Sequence, residues 1–127
     1  MVKQYSKTSL VWGIAGRSLK GLNKIANKYP DCKITVKEAV SDEQLEELVL
    51  NTRVILTTVG PYALLGTKMV DLCAKYGTDY VDITGEVAWV REMIVKYDDI
   101  AFKNNARIVN CCACDSIPWD ITTYLIA

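Results

Sequence analysis

Residues Arg53 to Glu86 read RVILTTVGPYALLGTKMVDLCAKYGTDYVDITGE, and the fold turns on this stretch. Val54 to Val59 is an apolar, β-branched run too short for a helix, the pattern of a strand buried on both faces of a parallel sheet. Gly60 and Pro61 stop it. Leu65, Met69, Leu72, Cys73 and Tyr76 then recur at helical spacing, which predicts an amphipathic helix with that face on the sheet. Gly77 closes the helix, and Tyr80 to Ile83 is the next strand. The result is a βαβ unit with a glycine-bearing loop at the carboxyl end of its first strand, where open α/β sheets bind ligands.

The pattern repeats to either side. Leu10 to Ala15 reads as a strand ending at Gly16. Ser18 caps a helix carrying Leu22, Ile25, Ala26 and Tyr29 and stopped at Pro30. Lys33 to Ala39 alternates like an outer strand. Ser41 and Gln44 form a capping box before a helix that buries Leu45, Leu48 and Val49. Beyond the central unit, Val90, Ile94, Tyr97 and Ala101 mark a long helix whose stripe Met93 and Ile100 widen. Arg107 to Cys112 is a fifth strand, and Pro118 opens a last helix just after Ser116. Residues 1 to 8 carry no pattern. The expectation is a single α/β domain over residues 1–127, a doubly wound, Rossmann-like parallel sheet of about five strands.

Composition narrows the chemistry. The chain has no histidine, so a Ser-His-Asp triad, a Cys-His dyad or a histidine zinc site cannot be built from it. Fifteen basic residues balance fifteen acidic ones, with no basic stripe calling for nucleic acid. Five cysteines in no scaffold spacing point to a reducing, intracellular compartment. The start, MVKQYSKTSLVWGIAG, lacks a good signal cleavage site. No segment reaches the roughly 18 apolar residues of a membrane span.

Four places could carry chemistry. Gly16-Arg17-Ser18 ends a strand with no carboxylate, and a guanidinium at a helix start suits the 2′-phosphate of NADP; the alternative is a surface arginine beside a cap. Val59-Gly60-Pro61-Tyr62 lets a ligand approach the backbone and adds an aromatic hydroxyl; the alternative is a plain strand-to-helix turn. Asp82, Gly85 and Glu86 close a buried strand and suit a substrate ammonium or proton transfer, while Glu86 reads better as a cap on the helix that follows it. Cys111, Cys112 and Cys114 lack a zinc spacing. They read as small buried hydrophobes, Cys112 and Cys114 sharing one strand face.

Taken in order, AGRS, VGPYALLG, YVDITGE and CDSIPWD resemble the saccharopine dehydrogenase-like oxidoreductase family. The resemblance implies an N-terminal Rossmann domain that binds NADP, or NAD. Arg17 and Ser18 would lie at the adenosine end and Val59, Gly60, Pro61 and Tyr62 at the nicotinamide end. Asp115, Ser116 and Pro118 would mark the crossing to a second, substrate domain. Family members begin with a strand and a glycine-rich turn, but no G-x-G-x-x-G occurs here, and residues 1 to 8 correspond to the end of the first helix. The expectation is therefore a partial domain, lacking the usual first, central strand and the substrate domain: a truncated product or one half of an assembly. Such a chain has no assigned catalytic residue and is inactive alone, binding its dinucleotide weakly or not at all. The alternative is a non-enzymatic interaction module, pairing through exposed strand edges with a second copy or a missing complementary segment. Animal members of the family are associated with lipid droplets and membranes, which extends the expected location from the cytoplasm to a lipid-droplet or peripheral membrane surface. A redox role for the three clustered thiols ranks last, because no histidine depresses a thiol pKa.

Overall fold

The computed structural model describes residues 10–127, so the reading of residues 1 to 8 lies outside the described residues. The chain divides into two compact units, the first ending at Leu48 and the second beginning at Val49.

The first unit holds β1 (Trp12–Gly16), α1 (Leu19–Ala26), β2 (Ile34–Glu38) and most of α2 (Asp42–Leu50). The strands pair in parallel, from Trp12 opposite Ile34 to Gly16 opposite Glu38. Both predicted caps are present. Ser18 Oγ accepts a hydrogen bond from the Gly21 amide at 3.2 Å. Ser41 and Gln44 exchange the two bonds of a capping box at 3.1 and 3.3 Å, satisfying amides that the helix start leaves open. Helix α1 ends at Asn27 rather than running to Pro30, because the Lys28 and Tyr29 amides turn back to Ile25 and Ala26. Leu22, Ile25 and Ala26 lie on it as predicted, yet none is buried.

The second unit holds β3 (Val54–Thr57), α3 (Tyr62–Leu65), α4 (Thr67–Tyr76), β4 (Asp79–Asp82), α5 (Val87–Lys103), β5 (Ile108–Val109) and α6 (Ile117–Ile126). Its strands form a parallel sheet in the order β3-β4-β5. Together with the β1-β2 pair, these are the pairings found on either side of the first strand in the order 3-2-1-4-5-6. The fold class is thus α/β, parallel and Rossmann-like, with five strands in two sheets among the described residues.

Several finer expectations fail for local reasons. Strand β3 is buried on one face only. Ile55, Tyr80 and Ile108 are in register on the covered face, whereas Val54 is 44 % and Leu56 54 % exposed, with Val109 at 48 % in register beyond them. The helix after β3 is broken at Gly66, where a Cβ would stand 2.8 Å from the Trp89 ring and 2.9 Å from the Tyr62 carbonyl oxygen. The break leaves Leu65 exposed and turns Val70, Leu72, Cys73 and Ala74 inward. On α5 the buried stripe is Trp89, Met93, Tyr97 and Ala101; Ile94 and Ile100 are exposed. Strand β5 is two residues long rather than six, because Cys111 takes a left-handed φ of 60° that leads the chain out of the sheet. Helix α6 buries none of its residues.

The α4 end shows why a glycine stands there. Gly77 has φ +75° and closes the helix, and any Cβ would meet the Asn104 carbonyl oxygen at 2.6 Å. The Asn104 amide completes the cap, donating to the Ala74 and Lys75 carbonyls at 3.0 Å each. Cys73, packed beneath, is fully buried, and burial pushes its thiol up to about 12, with the Asp79 carboxylate adding to the rise. No helix among the described residues is long and apolar enough to cross a membrane.

Candidate functional site

The carboxyl ends of β3, β4 and β5 converge in the second unit, and one alternating run, Asp82-x-Thr84-x-Glu86, ties their loops together. Asp82 ends β4 and is completely buried. Its carboxylate accepts from four donors: Tyr80 Oη at 2.9 Å, the Thr84 amide at 3.1 Å, Asn110 Nδ2 at 2.6 Å and the Cys111 amide at 3.0 Å. Four donors fill the lone-pair sites of a carboxylate, so Asp82 serves as a structural hub rather than as a base or an ammonium ligand. Burial pushes the Tyr80 hydroxyl's pKa up, and the adjacent Asp82 charge adds to the shift.

Thr84, also buried, accepts the Glu86 amide on its hydroxyl at 3.0 Å. Glu86 stands at the N-cap position of α5, as expected, but its side chain makes no cap hydrogen bond there. Its two carboxylate oxygens reach back to the start of α3, accepting from the Tyr62 amide at 2.6 Å and the Ala63 amide at 2.9 Å. The two bonds satisfy open donors of that helix's first turn.

Val59, Gly60 and Pro61 are exposed and join β3 to α3 through a cis Gly60-Pro61 peptide. Tyr62 is buried, its ring 5.6 Å from that of Trp89. Its hydroxyl donates to the Thr57 carbonyl at 3.1 Å and accepts from the Ile83 amide at 3.5 Å, spanning the ends of β3 and β4. Burial raises the Tyr62 hydroxyl's pKa; the Ile83 amide opposes this and the Asp82 and Glu86 charges reinforce it. The aromatic hydroxyl expected to face a ligand is thus spent inside the unit, while Val59, Gly60 and Pro61 are exposed residues, the Val59 amide donating to Thr57 Oγ1 at 3.2 Å. Trp89 Nε1 donates to Thr67 Oγ1 at 3.0 Å and anchors α5 beside the loop.

Arg17 and Ser18 belong to the first unit. Arg17 follows β1 and is exposed, and Ser18 caps α1.

The cysteine segment departs from its reading. Cys111 and Cys112 are half-buried, Cys114 is exposed, and the segment is not a strand, so Cys112 and Cys114 share no buried sheet face. Burial raises the Cys111 thiol's pKa, and Asp82 adds to the rise. Among the described residues no three His, Cys, Asp or Glu side chains gather as a metal site.

At the opposite, amino end of the sheet, Arg107 forks onto the Asp79 carboxylate through Nε and Nη2. These bonds, with that of the Arg107 amide, hold the Asp79 carboxyl below its usual range.

Sequence reasoning anticipated the loops but not the connections. Asp82 and Glu86 stand out in the sequence at the end of β4, and Thr84 between them does not. Their long-range partners lie 23 to 29 residues away, beyond any local pattern.

Comparison with known proteins agrees with this architecture. Residues 1–109 match the family described as the saccharopine dehydrogenase NADP binding domain. The trans-acting enoyl reductase of Mycobacterium ulcerans (strain Agy99) is 42 % identical over 115 residues, covering 87 % of this chain and 28 % of that protein. The trans-acting enoyl reductase of Mycobacterium tuberculosis (strain ATCC 25618 / H37Rv) is 39 % identical over the same shares. Apo histidine-tagged saccharopine dehydrogenase (L-Glu forming) from Saccharomyces cerevisiae shares the fold, with a TM-score of 0.67 at 18 % identity, over 91 % of this chain and 24 % of that one. The chain spans a little over a quarter of the length of these curated relatives.

Proposed function

The chain belongs to the saccharopine dehydrogenase NADP binding domain family, and from that premise we propose that it binds NADP(H) as one domain of an oxidoreductase. Arg17 carries the reading. It stands exposed where a parallel strand gives way to a capped helix, a position from which a guanidinium meets a 2′-phosphate. Gly60 and Pro61 are exposed at the carboxyl end of β3 and take the nicotinamide side. Tyr62 supports that loop from within. Bound NADPH supplies a hydride. By the name of the mycobacterial relatives, the acceptor in the whole protein is an enoyl group.

The chain contains no G-x-G-x-x-G turn, the usual anchor of the pyrophosphate. By itself it binds weakly, with a Kd of roughly 0.1–1 mM, and catalyses nothing. Titrating NADPH and NADH into the 15N-labelled chain tests this. NADPH binds at least about tenfold more tightly than NADH, and Arg17→Ala removes the difference while leaving NADH unchanged. Equal affinity for the two dinucleotides, or indifference to Arg17→Ala, overturns the assignment.

One observation favours a second reading, a module that pairs through its strands. β3 forms an edge of its sheet and exposes Val54 and Leu56, with neither proline nor charge along Val54–Thr57 to deter pairing. Size-exclusion chromatography with light scattering separates the two, since a monomer across a hundredfold concentration range defeats edge pairing with a second copy.

A further inference from the structure

The amino end of the second unit's sheet holds a cavity that the cofactor reading does not use. It measures about 490 Å³, within the size range of small-molecule sites, and Arg53, Asp79, Phe102 and Arg107 are among the residues that line it.

Arg107 is fixed there rather than free. Its Nε and Nη2 both donate to the Asp79 carboxylate, and its backbone amide donates to the same carboxylate at 2.9 Å. The fork uses two of the five N–H donors of a guanidinium, and the side chain is still 73 % exposed. An arginine held in this way gives up little freedom when it accepts an anion. Arg53 stands just before β3, where its carbonyl accepts the Asp79 amide at 3.1 Å. Its guanidinium is exposed and forms no ion pair among the described residues. Phe102, the one phenylalanine of the chain, lies in the last turn of α5 and is 86 % exposed.

The charges select the ligand. Two guanidiniums against one carboxylate leave a single net positive charge on these walls. At this end of the sheet α4 closes at Gly77 and α5 at Asn104, and helix carboxyl ends disfavour added negative charge. The match is a monoanion with a flat apolar body.

We propose that this cavity binds a small aromatic carboxylate, its carboxylate on the free N–H groups of Arg107 and Arg53 and its ring against Phe102. The β3 loop assigned to NADP(H) lies at the carboxyl end of the same sheet, so this site is separate and does not depend on that assignment.

The test titrates four probes into the 15N-labelled full chain: 2-naphthoate, its uncharged counterpart 2-naphthamide, acetate, and the dianion 2-naphthyl phosphate. 2-Naphthoate binds with a Kd of about 1 mM, the level of a fragment of its size, and moves the Phe102, Ala106 and Arg107 amides. 2-Naphthamide and acetate, each lacking half of the recognised chemistry, bind at least about tenfold more weakly. 2-Naphthyl phosphate gains nothing over the carboxylate. Phe102→Ala and Arg53→Gln each weaken 2-naphthoate about fivefold with the Tm unchanged, since both side chains are exposed and the Asp79–Arg107 fork stays in place. Equal shifts from 2-naphthamide would reduce the site to an apolar patch and overturn the proposal. Tighter binding of the phosphate would overturn the choice of a carboxylate. Shifts that avoid Phe102 and Arg107, or an affinity indifferent to both substitutions, would show that the cavity is not the site.

Discussion

Asp82 shows how much one buried charge organises. Removing it leaves the Tyr80 hydroxyl, the Asn110 amide and the Thr84 and Cys111 backbone N–H groups without their acceptor. Buried donors stranded in this way cost about 1–3 kcal/mol each before relaxation. Asp82→Ala is therefore expected to lower stability by at least about 3 kcal/mol in urea unfolding, a large share of a small domain's total. Asp82→Asn, which keeps one acceptor oxygen, should lose less. Equal stability of Asp82→Ala and the natural chain would show that the hub is dispensable. Caps that close within three residues, at Ser18 and at Ser41 with Gln44, were readable from the sequence. Glu86 was readable as a cap but not as the cap of α3. The sequence puts it next to α5, while the fold puts it against an amide 24 residues earlier.

Elements were legible in kind and sequence, and less so in length and in the face they bury: the helix read after β3 is two helices divided at Gly66, and β5 is only two residues long. All five strands appear where apolar runs and turn residues placed them, and the pairings follow the expected order. The helix faces shifted because apolar residues lie on more than one side of α4 and α5, and packing selects among them. On α5 it chose the four-residue series from Trp89 to Ala101 over Ile94 and Ile100. Gly66 sets that choice. A methyl group there would overlap the Trp89 ring at 2.8 Å, and overpacking of this kind costs about 1–3 kcal/mol. The gain in helix propensity from glycine to alanine returns only about 1 kcal/mol. Gly66→Ala is accordingly expected to lower the Tm and to weaken the near-ultraviolet circular dichroism of Trp89. A Gly66→Ala chain with a raised Tm and intact Trp89 dichroism would mean that the helix break owes nothing to this contact.

Among the described residues the core is unevenly shared, and no periodicity argument could have revealed it. Amphipathic spacing in α1 looks the same whether or not anything covers Leu22 and Ile25. Every buried described residue lies at Val49 or later, and none of the described residues up to Leu48 is buried. Ordering backbone costs about 1–2 kcal/mol per residue, and among the first unit's described residues that cost is opposed by part-buried side chains, hydrogen bonds and ion pairing such as the exposed Lys37–Glu47 pair. An exposed ion pair contributes about 0–1 kcal/mol. The first unit is therefore the one expected to open before the second unfolds. In native-state hydrogen exchange, the β1 and β2 amides should exchange at least about a hundredfold faster than those of β4, α4 and α5, a gap of about 2.7 kcal/mol in opening free energy. Saturating 2′,5′-ADP should slow the first unit selectively, because Arg17 and Ser18 are its proposed contacts and a ligand stabilises only what it binds. Uniform exchange across both units would refute the uneven core. Ligand protection confined to the second unit would instead move the adenosine end away from Arg17.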